Sequence, residues 1–255
     1  MARLILAFVF IWHGAALAAE PVDPAFEGTW KLEGAPFAVY WSVRADGVYR
    51  VHGPGANPRQ VGHVEAKDGR WSVTSGTWVD SGTYVLADTD TWLVTGSLGT
   101  GNWTRVWAPA SAASQAPAGT GLCGLVSLDE VAAVLRAPVT GGPDPRVPEG
   151  CMYRSQLSDF DQLTIDSGLV SPPDWQKNRQ RPSPRKADLP DIGDGAYAEL
   201  DAGNHLVARV LRGDQEYEFR LTLVPDTTLD DAPPLADLAR AALARLDNGG
   251  QSGGQ

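Results

Sequence analysis

The hydrophobic pattern changes character along the chain. Between residues 26 and 107 it has period two, in short runs rich in Val, Thr, Tyr and Trp at 29–33, 37–44, 48–52, 60–66, 70–75, 83–87, 91–97 and 102–107. These runs predict eight β-strands, because successive side chains on a strand face opposite sides of a sheet. Asp46-Gly47 and Asp68-Gly69 are two-residue hairpin signals, and Asp80-Ser81-Gly82 and Gly99-Thr100-Gly101 read as looser turns. Strands joined by such turns lie antiparallel beside their sequence neighbours. The result is a meander, and closure into a small barrel hides its two edges. Alternation puts Trp71 with Val73, Tyr84 with Leu86 and Trp92 with Val94 on common faces, and sets Trp103, Arg105 and Trp107 together on another.

Residues 108–121 hold no large apolar residue and no charge, and read as a semi-flexible linker. Beyond them the periods mix. Ser127-Leu128-Asp129-Glu130 is a capping box, after which Leu128, Val131, Ala132 and Leu135 give a helix one apolar face until Pro138 stops it. Strands are predicted at 151–156, 162–166, 196–200, 206–211 and 216–224. In the last, Tyr217, Phe219, Leu221 and Leu223 alternate with polar neighbours, as in a sheet wet on one side. A closing helix at 235–246 supplies Leu235, Leu238, Ala239, Ala242 and Leu246 to the dry face, and the tail 248–255 reads as disordered. The expected fold is two domains: an all-β antiparallel meander forming a small barrel (26–107), then an α+β unit (122–247) whose antiparallel sheet is covered by helices.

Two stretches carry a resemblance. Gly28-Thr29-Trp30, echoed by Gly76-Thr77-Trp78 and Gly101-Asn102-Trp103, resembles the opening of lipocalin- and avidin-like barrels. That implies a closed meander barrel with the tryptophan packed across one end, and it does not bring ligand binding with it. The second half is similar to secreted or lipid-anchored bacterial domains whose fold is like that of the photosystem PsbP protein. The matching residues are Cys123 before a helix with Ser127 and Glu130, Cys151-Met152-Tyr153, Gly193-Asp194-Gly195-Ala196-Tyr197, and the Leu/Ala-rich last helix. This resemblance implies an antiparallel sheet with helices on one side, a Cys123–Cys151 bridge and no catalytic residues. The chain departs from the lipid-anchored members in lacking an attachment cysteine.

Composition adds a compartment. Arg3, the apolar run 4–12 and Ala16-Leu17-Ala18 read as a secretory signal over residues 1–18, cleaved near Ala18. No later stretch approaches the ~18 apolar residues of a membrane span. The protein is therefore expected in the periplasm or outside the cell, where the isolated pair Cys123 and Cys151 is most simply a disulfide. With 31 acidic and 21 basic residues the net charge is −10, which argues against nucleic-acid or anionic-lipid binding.

Candidate chemistry is sparse. There is no G-x-S-x-G, P-loop, H-E-x-x-H or C-x-x-C, so no catalytic residue, metal site or cofactor is assigned. His52 and His63 read as surface or satisfied polar residues near strand ends. Of the carboxylate pairs, Asp159 with Asp161 falls in a loop and Asp230 with Asp231 at a helix N-cap. The loop from Asp191 to Asp194 lacks the regular oxygen alternation of a calcium site.

Two surfaces remain. Segment 171–191, with Pro172, Pro173, Pro182, Pro184 and Pro190, reads as neither helix nor central strand. It carries Lys177, Arg179, Arg181, Arg185 and Lys186, and Trp175 with no hydrophobic run to hide it. It is either a solvated insertion folded back on its own acids or a docking loop for an anionic protein or envelope polymer. Seven of the nine tryptophans lie between 30 and 107. They either fill the barrel or line a ligand mouth, for which Trp71, Tyr84, Trp92 and Trp103 are the candidates. The expectation is a non-enzymatic secreted or periplasmic accessory or binding protein. Its rivals are a carrier of a small apolar ligand in the barrel and a secreted hydrolase, which needs a pocket with a histidine or carboxylate pair in reach of a nucleophile.

Overall fold

The computed structural model describes residues 22–53, 61–97, 99–109, 121–143, 150–223 and 227–249. The signal segment 1–18, most of the linker and the tail beyond Gly249 lie outside these described residues. Eight strands follow one another through the first half: β1 (Gly28–Leu32), β2 (Tyr40–Val43), β3 (Val48–His52), β4 (Val61–Lys67), β5 (Arg70–Ser75), β6 (Trp78–Asp88), β7 (Thr91–Gly96) and β8 (Gly99–Trp107). Each pairs antiparallel with the next and β8 pairs back onto β1, closing the barrel. Asp68 and Gly69 both have positive φ, 52° and 75°, as the tight β4–β5 hairpin requires.

Two expected turns are strand instead. Asp80-Ser81-Gly82 lies inside β6, and the chain reverses earlier, around Gly76. Gly82 is a close-approach residue: a Cβ there would stand 1.7 Å from the Thr95 carbonyl oxygen, so only glycine lets β7 come in. Gly99-Thr100-Gly101 likewise opens β8 rather than preceding it.

In the second half, a seven-stranded antiparallel sheet has the order β12-β13-β14-β15-β11-β10-β9. Its strands are β9 (Val139–Pro143), β10 (Cys151–Ser155), β11 (Gln162–Leu169), β12 (Lys186–Asp188), β13 (Gly195–Leu200), β14 (Leu206–Arg212) and β15 (Gln215–Thr222). β9 and β12 were not expected. Both are edges, where short strands with Pro, Gly or charge are the rule and periodic signal is weakest. Helices α1 (Leu128–Leu135) and α3 (Ala232–Gly249) bury Val131, Leu135, Leu235 and Leu238 with Ala196, Ala198, Leu206 and Phe219 of one sheet face. The capping box at Ser127 and Glu130 forms. Cys123 and Cys151 stand at disulfide distance, Cα to Cα 5.5 Å. α3 is longer than the expected 235–246, so 248 and 249 are helix and not tail. Pro233 and Pro234 sit in its first turn, where a missing amide costs no helical bond.

The proline-rich segment is also corrected. Pro172–Gln180 is a helix, α2, with prolines at its first positions. Trp175 is fully buried against Tyr197 and Leu211. Since Ala196 and Ala198 point to α1 and α3, the intervening Tyr197 points the other way, and α2 covers part of the face expected to be wet.

The two halves meet through the outer faces of β1, β2 and β3. Inward residues there are Trp30, Trp41 and Tyr49, so alternation turns Thr29, Ser42, Arg50 and His52 outward, yet all four are buried. Asp231 accepts from Arg50 Nη2 at 3.0 Å and from Arg136 Nη2 at 2.9 Å, with all three side chains at or below 6% exposure. Arg136 ends α1 in the left-handed conformation, φ 53°, and its carbonyl accepts from Thr29 Oγ1. No helix among the described residues is long and apolar enough to cross a membrane.

Candidate functional site

The barrel interior divides into a filled end and a cavity. At the filled end, the turn Pro24–Phe26 lays Phe26 on Trp92 with centroids 3.8 Å apart, and Trp30 lies on Trp92 at the same separation. Arg105 stands 4.3 Å over the Trp30 ring and donates to the Ala25 and Glu27 carbonyls. Tyr84 closes the corner, donating to Asp23 Oδ2 at 2.9 Å.

The cavity, about 330 Å³, is lined by Trp41, Tyr49, Trp71, Asp80 and Trp103 among aliphatic side chains, with Trp78 at 40% exposure. Trp41 separates it from the filled end. Its ring contacts Trp92 at 5.9 Å, edge-on to Trp71 at 6.1 Å and tilted to Trp103 at 5.7 Å. Trp71 is fixed by Nε1 donating to the Thr95 carbonyl at 3.2 Å, whereas the buried Trp41 Nε1 has no hydrogen-bond partner among the described residues. Burial pushes the Tyr49 phenol up to about 12, against a smaller opposing pull from the Ser75 hydroxyl, so it stays neutral. Asp80 points inward from β6 and is 8% exposed; its Oδ1 accepts from the Ser81 and Ser97 amides at 2.8 and 3.2 Å. A Cβ on Gly96 would lie 2.6 Å from Trp71 Cζ2 and 3.4 Å from Asp80 Oδ2, so the glycine keeps this wall open.

Of the four residues expected to form a ligand face, Trp71 and Trp103 line the cavity. Tyr84 and Trp92 belong to the filled end. Trp41, Tyr49 and Asp80 were missed, although the signal for Asp80 was present. Counting back in twos from Leu86 and Tyr84 along one strand reaches Asp80, which the turn reading hid.

No protein-family model matches the chain, and no curated protein matches it. The reading of the site rests on its geometry.

One arrangement has the outline of hydrolase chemistry. Ser42 Oγ lies 2.8 Å from His52 Nε2. The hydrogen-bond direction is wrong for activation. Thr29 spends its one proton on the Arg136 carbonyl, so Ser42 donates to Thr29, 2.8 Å away, and His52 Nε2–H donates to Ser42. Burial, with the Arg50 and Arg136 charges, lowers His52 to about 3, far too weak a base at neutral pH. The pair is a structural element of the junction.

The basic segment is tied to its own half. Arg179 Nε meets Asp188 at 3.1 Å, Arg185 donates to the Asp201 carbonyl and to Asn204, and Lys186 donates to the Asn178 carbonyl. Lys177 and Arg181 are exposed. Trp175, expected beside them at the surface, is buried and offers nothing to a partner.

Proposed function

We propose that this protein is a non-enzymatic binding protein, acting outside the cytoplasm, whose barrel mouth holds a small and mostly apolar ligand. The observation that carries this reading is the cavity of about 330 Å³ lined by four indoles, with Trp78 at its rim. It falls at the lower end of the ~300–1,000 Å³ of small-molecule sites, and its lining is apolar with few polar groups, as such sites are. Small barrels ordinarily fill their interiors with side chains, and this one does so at one end only.

The test is a titration of tryptophan fluorescence with small aromatic and aliphatic probes. Saturable quenching is expected, weakened about tenfold by Trp103→Ala or Trp71→Phe. Replacing Trp175 by Phe should leave the titration unchanged. Linear, unsaturable quenching by every probe contradicts the reading.

A further inference from the structure

The cavity holds one charge. Asp80 is more than nine-tenths buried, and every other side chain lining the space is apolar, aromatic or neutral. A carboxylate in an apolar setting is costly unless it is paired and hydrogen-bonded. Both bonds to Asp80 end on Oδ1, which ties β6 to the β7–β8 turn through the Ser97 amide. Oδ2 accepts none among the described residues, and it stands beside the Trp71 ring across Gly96. A neutral Asn would make the same two bonds through its own Oδ1, so the turn does not explain the charge. Around it stand the indoles of Trp41, Trp71 and Trp103, and aromatic faces attract cations, tryptophan's best of all.

We propose that the ligand carries an ammonium head, alkylated or primary, seated against Asp80 Oδ2 and the indole faces. The inference rests on the barrel mouth being a ligand site, and it names the chemical class that site selects. A cation supplies the missing counter-charge to Asp80 and meets the aromatic faces at once. An anion would meet a buried carboxylate and, among the described residues, no basic group. An uncharged ligand would leave the carboxylate unpaired.

The experiment compares choline with its uncharged carbon isostere 3,3-dimethylbutan-1-ol, which has the same shape, by calorimetric titration of the full chain. Choline is expected to bind about tenfold more tightly than the alcohol. Asp80→Asn is expected to remove most of that preference, the indoles retaining the rest, and to leave the melting temperature unchanged. Equal binding of the two probes by the unaltered protein overturns the ammonium assignment and leaves the ligand site standing. So does an Asp80→Asn protein that keeps the preference. Should neither these nor the fluorescence probes bind, the site reading falls and the ammonium assignment with it.

Discussion

Asp231 is where a single residue does most for the fold. Its carboxylate takes Arg50 from the barrel, Arg136 from the end of α1, and the Thr228 amide from its own turn at 3.0 Å. Burial raises its pKa, but the two guanidinium charges and the amide outweigh that and hold it low. Burial also brings Arg136 down to about 10, against the pull of Asp231. Removing one partner of a buried ion pair leaves uncompensated charge, a loss of about 3–5 kcal/mol. Asp231→Ala is expected to cost that much in denaturant unfolding, and a change under about 1 kcal/mol would mean water replaces the carboxylate freely. The sequence placed Asp231 at a helix N-cap; in the structure Thr228 is the N-cap of the turn Leu229–Asp231, and Asp231 accepts its amide. Its larger role was illegible because its partners stand 181 and 95 residues away, and no local pattern encodes that meeting.

At the level of elements, what local chemistry controls was readable. The Asp68-Gly69 hairpin, the Ser127 capping box and the alternation that turns Trp30, Trp71 and Trp92 inward all appear where the sequence puts them. Two of the failures share a cause. Proline and glycine were read as breaks there, yet Pro172 and Pro173 start α2, and Gly82 lets one strand approach another. Reading α2 as loop also left Trp175 apparently homeless. It is instead an anchor, tilted on Tyr197 at 5.5 Å with Arg179 5.9 Å over its ring. Trp175→Ala should therefore destabilise the chain by about 3–5 kcal/mol. Replacing the exposed Lys177 and Arg181 by Ser should change it by less than about 0.5 kcal/mol. A tolerant Trp175 in thermal melts would return the segment to the surface.

Across the whole molecule, β3 joins the two themes. Tyr49 and Val51 wall the cavity on its inner face, while Arg50 and His52 enter the junction on its outer face. The junction should be acid-labile. His52 titrates at about 3 when folded and near 6.5 when unfolded, so below about pH 6.5 only the unfolded chain takes up its proton. Stability is whole above that pH and falls as pH drops toward 3, by roughly 1.4 kcal/mol per unit from this group. The lowered Asp231 pKa adds a loss of the same sign at lower pH still. Urea unfolding at pH 7 and pH 5 should show a decline that His52→Gln largely removes. An unaltered slope in that variant would assign the acid sensitivity elsewhere. Because Asp231 is shared between barrel and helix end, both halves should also unfold in one transition, although residues 108–121 separate them along the chain.

The proposed ligand site at the barrel mouth can be tested indole by indole. Incorporating 5-fluorotryptophan places a ¹⁹F reporter on each indole, and titration with a bound probe is then followed resonance by resonance, assigned by single Trp→Phe substitutions. The account predicts saturable shifts at Trp41, Trp71 and Trp103, a smaller one at Trp78 on the rim, and none at Trp30 or Trp175. Shifts concentrated at Trp175, or spread evenly over every indole, would contradict it.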